Sequence, residues 1–231
     1  MVRAEDEEEA SGADSRGVTT SFDLICPVCG NHVVGYKVGA YNTTGTDRDF
    51  CQRGATPTFY RLLVSTCPKC GYTAYADDFR IKMTDQQKSK IRVISSKFLK
   101  KEDVADWDRY DIVAEIMKIR NAKDYDIANA YLRGTYTMRD LPEKNRKLLR
   151  IERNLRAKAI RRLLIAVDKA SFSVPEQAQI KYLIGELYRR NGRFSAALRH
   201  FQYAKAFKIV PLWLKPWIEE QNQKALKSIA D

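Results

Sequence analysis

The 231 residues carry 41 lysines and arginines against 29 acids, a formal charge of +12, with 44% hydrophobic residues and no apolar run near the roughly 18 residues of a membrane span. This excludes a helical membrane span and a chain too polar to bury a core, and it leaves one large domain or two small ones. So basic a surface attracts polyanions such as RNA, DNA or acidic protein tails, although charge speaks of association and not identity.

The charge is unevenly spread. The first 17 residues hold six acids (Glu5, Asp6, Glu7, Glu8, Glu9 and Asp14) against Arg3 and Arg16, which leaves the remainder at +16. Residues 1–20 have almost no large apolar side chains and are expected to be a disordered acidic tail. An acidic start is the wrong flank for a secretory signal, so a cytoplasmic location is expected.

Residues 21–80 read as a zinc ribbon. Cys26-Pro27-Val28-Cys29-Gly30 and Cys67-Pro68-Lys69-Cys70-Gly71 form a matched pair with 37 residues between Cys29 and Cys67. In each, proline fixes one turn of backbone between two thiolates, and glycine tolerates the positive φ that turns amides toward sulfur. In a reducing compartment two such pairs read as metal ligands rather than disulfides. Cys26, Cys29, Cys67 and Cys70 supply the tetrahedral thiolate set of structural Zn2+, with iron, held by similar knuckles in rubredoxins, as the competing metal. Strands are expected over 33–38 and 59–64, a turn at Asn42-Thr43-Thr44-Gly45, and each knuckle at a hairpin tip. So short a segment is marginal alone; ligation worth on the order of 10 kcal/mol or more makes up the deficit.

From Thr84 the period becomes helical. Thr84-Asp85-Gln86-Gln87 has capping-box spacing ahead of Ile91, Ile94 and Phe98. A second helix carries Tyr110, Val113, Ile116 and Met117, and a third covers about 125–138. After Asp140-Leu141-Pro142-Glu143 a long basic helix runs to about Lys169, followed by helices over 176–190 and 194–207 and a last one opened by Pro216.

Between Glu143 and Leu164 the long helix carries Lys144, Arg146, Lys147, Arg150, Arg153, Arg156, Lys158, Arg161 and Arg162 against Glu143 and Glu152 alone. The stripe Leu148, Ile151, Leu155, Ala159 and Leu163 is reserved for the core. The cations are therefore the candidate partner- or phosphate-binding surface, or equally a solvated face whose chains lie over apolar neighbours.

Two stretches repeat. Tyr131-Leu132-x-Gly134 recurs as Tyr182-Leu183-x-Gly185, and Ala159, Leu163 and Ala166 recur as Ala197, Phe201 and Ala204. The second copy, through Gly185, Tyr188, Gly192, Phe194, Ala197, Phe201 and Ala204, resembles a tetratricopeptide repeat. The first departs from it: Ala159 follows Gly134 by 25 positions where Ala197 follows Gly185 by 12, and Thr137 stands where Tyr188 would be.

Other chemistry is sparse. Cys51, near Arg48 and Arg53, reads either as an activated thiol or, more simply, as a packed small side chain. His32 is three residues past Cys29, but four thiolates already complete a shell, and His200 has no catalytic companion nearby. Trp213, Trp217, Phe194, Tyr203 and Tyr188 read as helical core or a peptide groove. With two histidines and neither a nucleophile motif nor a phosphate-binding glycine loop, no catalytic activity is expected. An enzyme built on Cys51, Asp47 and Asp49 is the remote alternative.

Cys26-Pro27-Val28-Cys29-Gly30, Asp47-x-Asp49-Phe50-Cys51, Pro57 with Tyr60, Cys67-Pro68-Lys69-Cys70-Gly71-Tyr72, Asp78-Phe79 and the helices from Gly185 to Ala204 together resemble an uncharacterised bacterial family, domain of unknown function 2225. Thr56-Pro57 replaces an Asn-Pro of that pattern. The resemblance implies zinc and a two-part architecture but no activity. The expected fold is α+β, a small β-rich zinc ribbon followed over 81–231 by an all-α, tetratricopeptide-like domain of helical hairpins. The expected function is a protein-interaction scaffold with an unidentified protein partner, and the rival is an RNA or DNA binder using the ribbon and the basic helix.

Overall fold

Strand pairing begins at Gly17, inside the segment expected to be tail. The computed structural model describes residues 17–41, 43–54, 58–99, 104–139 and 141–230. The expectation for residues 1–16 lies outside these, as do Asn42 of the turn cluster and Asp140. β1 (Gly17–Ile25) pairs antiparallel with β2 (His32–Tyr41) from Ile25↔His32 to Gly17↔Tyr41, with a register shift between Val18 and Thr19. The β-branched pair Thr19-Thr20 suits a strand, and it pairs across the hairpin with Val38 and Lys37.

Short pairs follow: β3 (Gly45–Thr46) with β4 (Gln52–Arg53), and β5 (Val64–Thr66) with β6 (Thr73–Tyr75). Each cysteine knuckle joins one hairpin, the first between β1 and β2 and the second between β5 and β6. The strand expected over 59–64 is absent: Thr58–Leu62 is a short helix, α1, and only Val64 enters β5. Tertiary bonds outweigh the β-prone composition there. The Gln52 amide donates to the Tyr60 hydroxyl (2.9 Å) and the Tyr110 hydroxyl donates to the Tyr60 carbonyl (2.5 Å), which fixes the turn around Tyr60.

The rest is helical: α2 (Asp85–Leu99), α3 (Asp106–Ile119), α4 (Asp124–Tyr136), α5 (Arg146–Lys169), α6 (Val174–Arg190), α7 (Phe194–Ala206) and α8 (Leu214–Leu226). The fold is α+β, small antiparallel hairpins followed by helices. The Thr84 capping box forms in both directions, Gln87 N–H to Thr84 Oγ1 (3.2 Å) and Thr84 N–H to Gln87 Oε1 (3.0 Å). The small residues of the repeated stretch are buried, namely Ala159, Ala166, Ala197 and Ala204, as are Leu163 and Phe201 between them. Ala159 is the fourteenth residue of α5 and Ala197 the fourth of α7, so the longer spacing of the first copy goes largely into extra turns of α5.

Strands and helices share cores. Leu24, Val33, Tyr72 and Phe79 pack with Ile91 of α2 and Ile112 and Ile116 of α3. Cys51, Tyr60 and Val64 join a larger core built by α3 to α6, while α6, α7 and α8 close a third around Tyr182, Phe201 and Ile218.

Candidate metal centre and the loop that docks it

The two knuckles are built alike. In the first, Gly30 N–H donates to the Cys26 carbonyl (2.8 Å) and Cys26 N–H to the Asn31 carbonyl (2.9 Å); in the second, Gly71 N–H donates to the Cys67 carbonyl (2.9 Å) and Cys67 N–H to the Tyr72 carbonyl (2.8 Å). Gly30 and Gly71 take φ of 73° and 71°, the left-handed region that the motif needs a glycine to reach.

The hairpins bring one thiol of each knuckle onto one of the other. Cys26 Sγ lies 3.6 Å from Cys70 Sγ, Cys29 Sγ lies 3.5 Å from Cys67 Sγ, and all four sulfurs fall within 4.8 Å of one another. None of the four is in a disulfide. Tetrahedral ligation with metal–sulfur bonds of about 2.3 Å sets neighbouring sulfurs about 3.8 Å apart, so the donor set and its spacing fit one four-coordinate metal ion. Bound there, the ion would link two segments far apart in sequence. The thiols crowd one another: the Cys70 thiol beside Cys26 draws it down to about 5, Cys70 is pushed up through the same contact, and burial pushes Cys67 up. Such crowding accommodates four thiolates only around a cation.

The second helix covers both knuckles. Arg92 Nη2 donates to the Val28 carbonyl (2.8 Å), and Ser95 is buried against Gly71.

On the other side, residues 47–51 plug the ribbon into the helices. Asp47 N–H donates to the Cys51 carbonyl (2.8 Å) and Phe50 N–H to the Asp47 carbonyl (2.8 Å), which closes a turn in which Phe50 takes φ of 69°. Around that turn Tyr136 donates to the Asp49 carbonyl (2.5 Å) and Tyr182 to the Arg48 carbonyl (2.8 Å). Arg48 pairs with Glu220 (2.7 Å) and lies 4.5 Å from the centre of the Trp217 ring. The Phe50 ring packs on Tyr182, Trp213 and Trp217 at 5.9–6.2 Å between centroids.

Beneath this turn lies a buried ion network that sequence reasoning missed. Asp49 is wholly buried and takes Arg139 Nη2 at 2.5 Å and Arg190 Nη1 at 3.7 Å on one oxygen; Arg139 Nη1 reaches Asp47 at 2.7 Å. Burial raises the Asp49 carboxyl, but Arg190 and Arg139 prevail and hold it below its ordinary range. Glu186, also wholly buried, accepts from Arg189 (2.8 Å) and Arg190 (2.7 Å). A signal was present in the sequence: Glu152/Arg156 and Glu186/Arg190 stand four apart, a spacing that pairs charges on one helix face.

The remaining candidates separate. Cys51 is buried, and burial pushes its thiol up to about 12, which fits the packed small side chain and not the activated thiol; Arg53 turns to Asp47. His32 is exposed at the start of β2 and is not one of the four clustered ligands. His200 stacks on Tyr188 (5.5 Å), and burial with Lys181 and Arg199 lowers it to about 4.

The nine cations of the basic segment divide as well. Arg156 is buried against Glu152 (2.5 Å) and is therefore removed from the surface. Lys144 pairs with Glu152 (3.2 Å), Lys158 with Asp111 (2.5 Å) and Arg162 with Asp124 (2.7 Å). Arg146, Lys147, Arg150, Arg153 and Arg161 are exposed and pair with no carboxylate among the described residues. No helix is long and apolar enough to cross a membrane among the described residues.

A family model described as an uncharacterised protein conserved in bacteria (DUF2225) matches residues 21–224. No curated protein and no solved structure matches the chain.

Proposed function

The chain belongs to this bacterial family, and we propose that it is a cytoplasmic, zinc-clasped scaffold whose helices present a binding surface to a protein partner, with no catalytic step of its own. The observation that carries the reading is an apolar surface where α7 gives way to α8. Tyr203 (53% exposed), Ile209 (56%), Leu212 (82%) and Trp213 (47%) stand in solvent there. Trp213 also walls a cavity of about 220 Å³ together with Phe50, Tyr125, Phe172, Ile180 and Leu183. Exposed apolar side chains close together in sequence, one of them walling an aromatic-lined cavity, support an interaction site.

The tetratricopeptide-like reading of α6 and α7 has support in their packing. A Cβ on Gly185 would lie 2.7 Å from the Phe201 ring, so the small residue permits the close approach of the two helices. Four thiolates suit Zn2+ and iron alike; the large helical partner, which a small electron carrier does not need, favours Zn2+, and a colourless preparation separates the two. Cys51, the thiol outside the cluster, is buried and poorly ionised, which favours a non-catalytic role.

A second reading, RNA or DNA binding, draws on Arg146, Lys147, Arg150, Arg153 and Arg161 of α5, exposed and without a carboxylate partner among the described residues. It is expected to give weak binding that collapses between low and physiological salt. The test of the scaffold is capture of partners from the native host, with and without nuclease, by the wild type and by Leu212→Glu. A protein that survives nuclease and is lost with Leu212→Glu supports the scaffold. Capture that is nuclease-sensitive, or indifferent to the substitution, contradicts it.

A further inference from the structure

Between α5 and the turn joining α6 to α7 lies a cavity of about 410 Å³. Arg153 and Arg161, about two turns apart on α5, line it together with Arg193 just before α7; Ile160, Tyr188 and Asn191 are among the other residues of its wall. Among the described residues none of the three guanidiniums meets a carboxylate. This sets them apart from Lys144, Arg156, Lys158 and Arg162 on the same segment, each neutralised by an acid.

Three uncompensated guanidiniums around one cavity match a dianion better than a single carboxylate, because a phosphate group offers three oxygens and up to two charges to planar donor forks. Asn191 narrows the choice. Its Nδ2 donates to the Arg153 carbonyl (3.2 Å), which fixes the amide orientation, and its Oδ1 is buried without a donor. An orphaned acceptor at the edge of an anion site calls for a hydroxyl. The volume exceeds that of inorganic phosphate, and Ile160 and the Tyr188 ring give the excess an apolar lining.

We propose that this cavity binds a small phosphate ester carrying a hydroxyl group, of the sugar phosphate or nucleotide class. The test is calorimetric titration of the full chain, at physiological salt, with ribose 5-phosphate, adenosine 5′-monophosphate, methyl phosphate and single-stranded RNA. Ribose 5-phosphate or the nucleotide is expected to bind saturably and more tightly than methyl phosphate, which lacks the hydroxyl; the two arms tell the sugar phosphate from the nucleotide. Arg153→Gln, Arg161→Gln and Arg193→Gln are each expected to weaken that binding on the order of tenfold or more. Arg146→Gln and Arg150→Gln, exposed cations of α5 that do not line the cavity, are expected to leave it unchanged. Equal losses in the two sets, tighter binding of RNA than of either ester, no preference over methyl phosphate, or no saturable binding at millimolar ester would overturn the proposal.

Discussion

Gly71 of the second knuckle lies under the backbone of Ser95: a Cβ at position 71 would sit 2.6 Å from the Ser95 carbonyl oxygen, whereas one on Gly30 would meet nothing within 4 Å. The knuckles are alike in backbone, and α2 makes them unlike in surroundings. Alanine at either site forces a left-handed conformation at about 1–2 kcal/mol, but at position 71 it also drives α2 off the metal centre. Gly71→Ala should therefore lower the urea midpoint clearly more than Gly30→Ala. Equal losses would show that α2 does not hold the second knuckle.

Arg139 binds Asp49 and Asp47 together (2.5 and 2.7 Å), and Asp49 has no contact with solvent. Truncating one partner of a buried pair strands the other charge, at about 3–5 kcal/mol. Arg139→Met should lose stability of that size, and adding Asp49→Asn should recover part of it. Lys224→Ala, which breaks the half-exposed pair with Glu220 (3.3 Å), should cost at most about 1 kcal/mol. Similar losses for Arg139→Met and Lys224→Ala in chemical denaturation would contradict the network.

His200 gives stability a pH dependence. Burial, Lys181 and Arg199 lower its folded pKa to about 4, against about 6.5 in the unfolded chain. Between these values the unfolded state binds the extra proton, so the contribution of neutral His200 is complete above about pH 6.5 and is lost as pH falls toward about 4. Denaturation midpoints should fall from pH 7 to pH 5 in the wild type and change less in His200→Gln. Parallel curves would mean that His200 titrates alike in both states.

Much of this was legible in local patterns. The doubled Cys-Pro-x-Cys-Gly identified the four clustered thiols, and Thr84 with Gln87 marked the start of α2, because both signals lie within a few residues of backbone. Features set by distant partners were not legible. Phe59, Tyr60 and Leu62 read as a strand, but Gln52 and Tyr110 hold Tyr60 in a helical turn. Arg156 counted as one more surface cation until Glu152 and the carbonyl of Arg190 drew it inside. Asp49 and Phe50 gave no hint that their turn is the plug between ribbon and helices, since the residues that receive it, Arg139, Tyr136, Tyr182 and Trp217, come from three helices and their ends.

The central claim is that Cys26, Cys29, Cys67 and Cys70 hold one structural zinc ion. The most direct measurement is zinc-edge X-ray absorption with metal quantitation on protein purified without added metal. The account predicts one zinc per chain with four sulfur neighbours at about 2.3 Å. Less than a tenth of an equivalent of zinc, or a shell containing nitrogen or oxygen in place of sulfur, would contradict it.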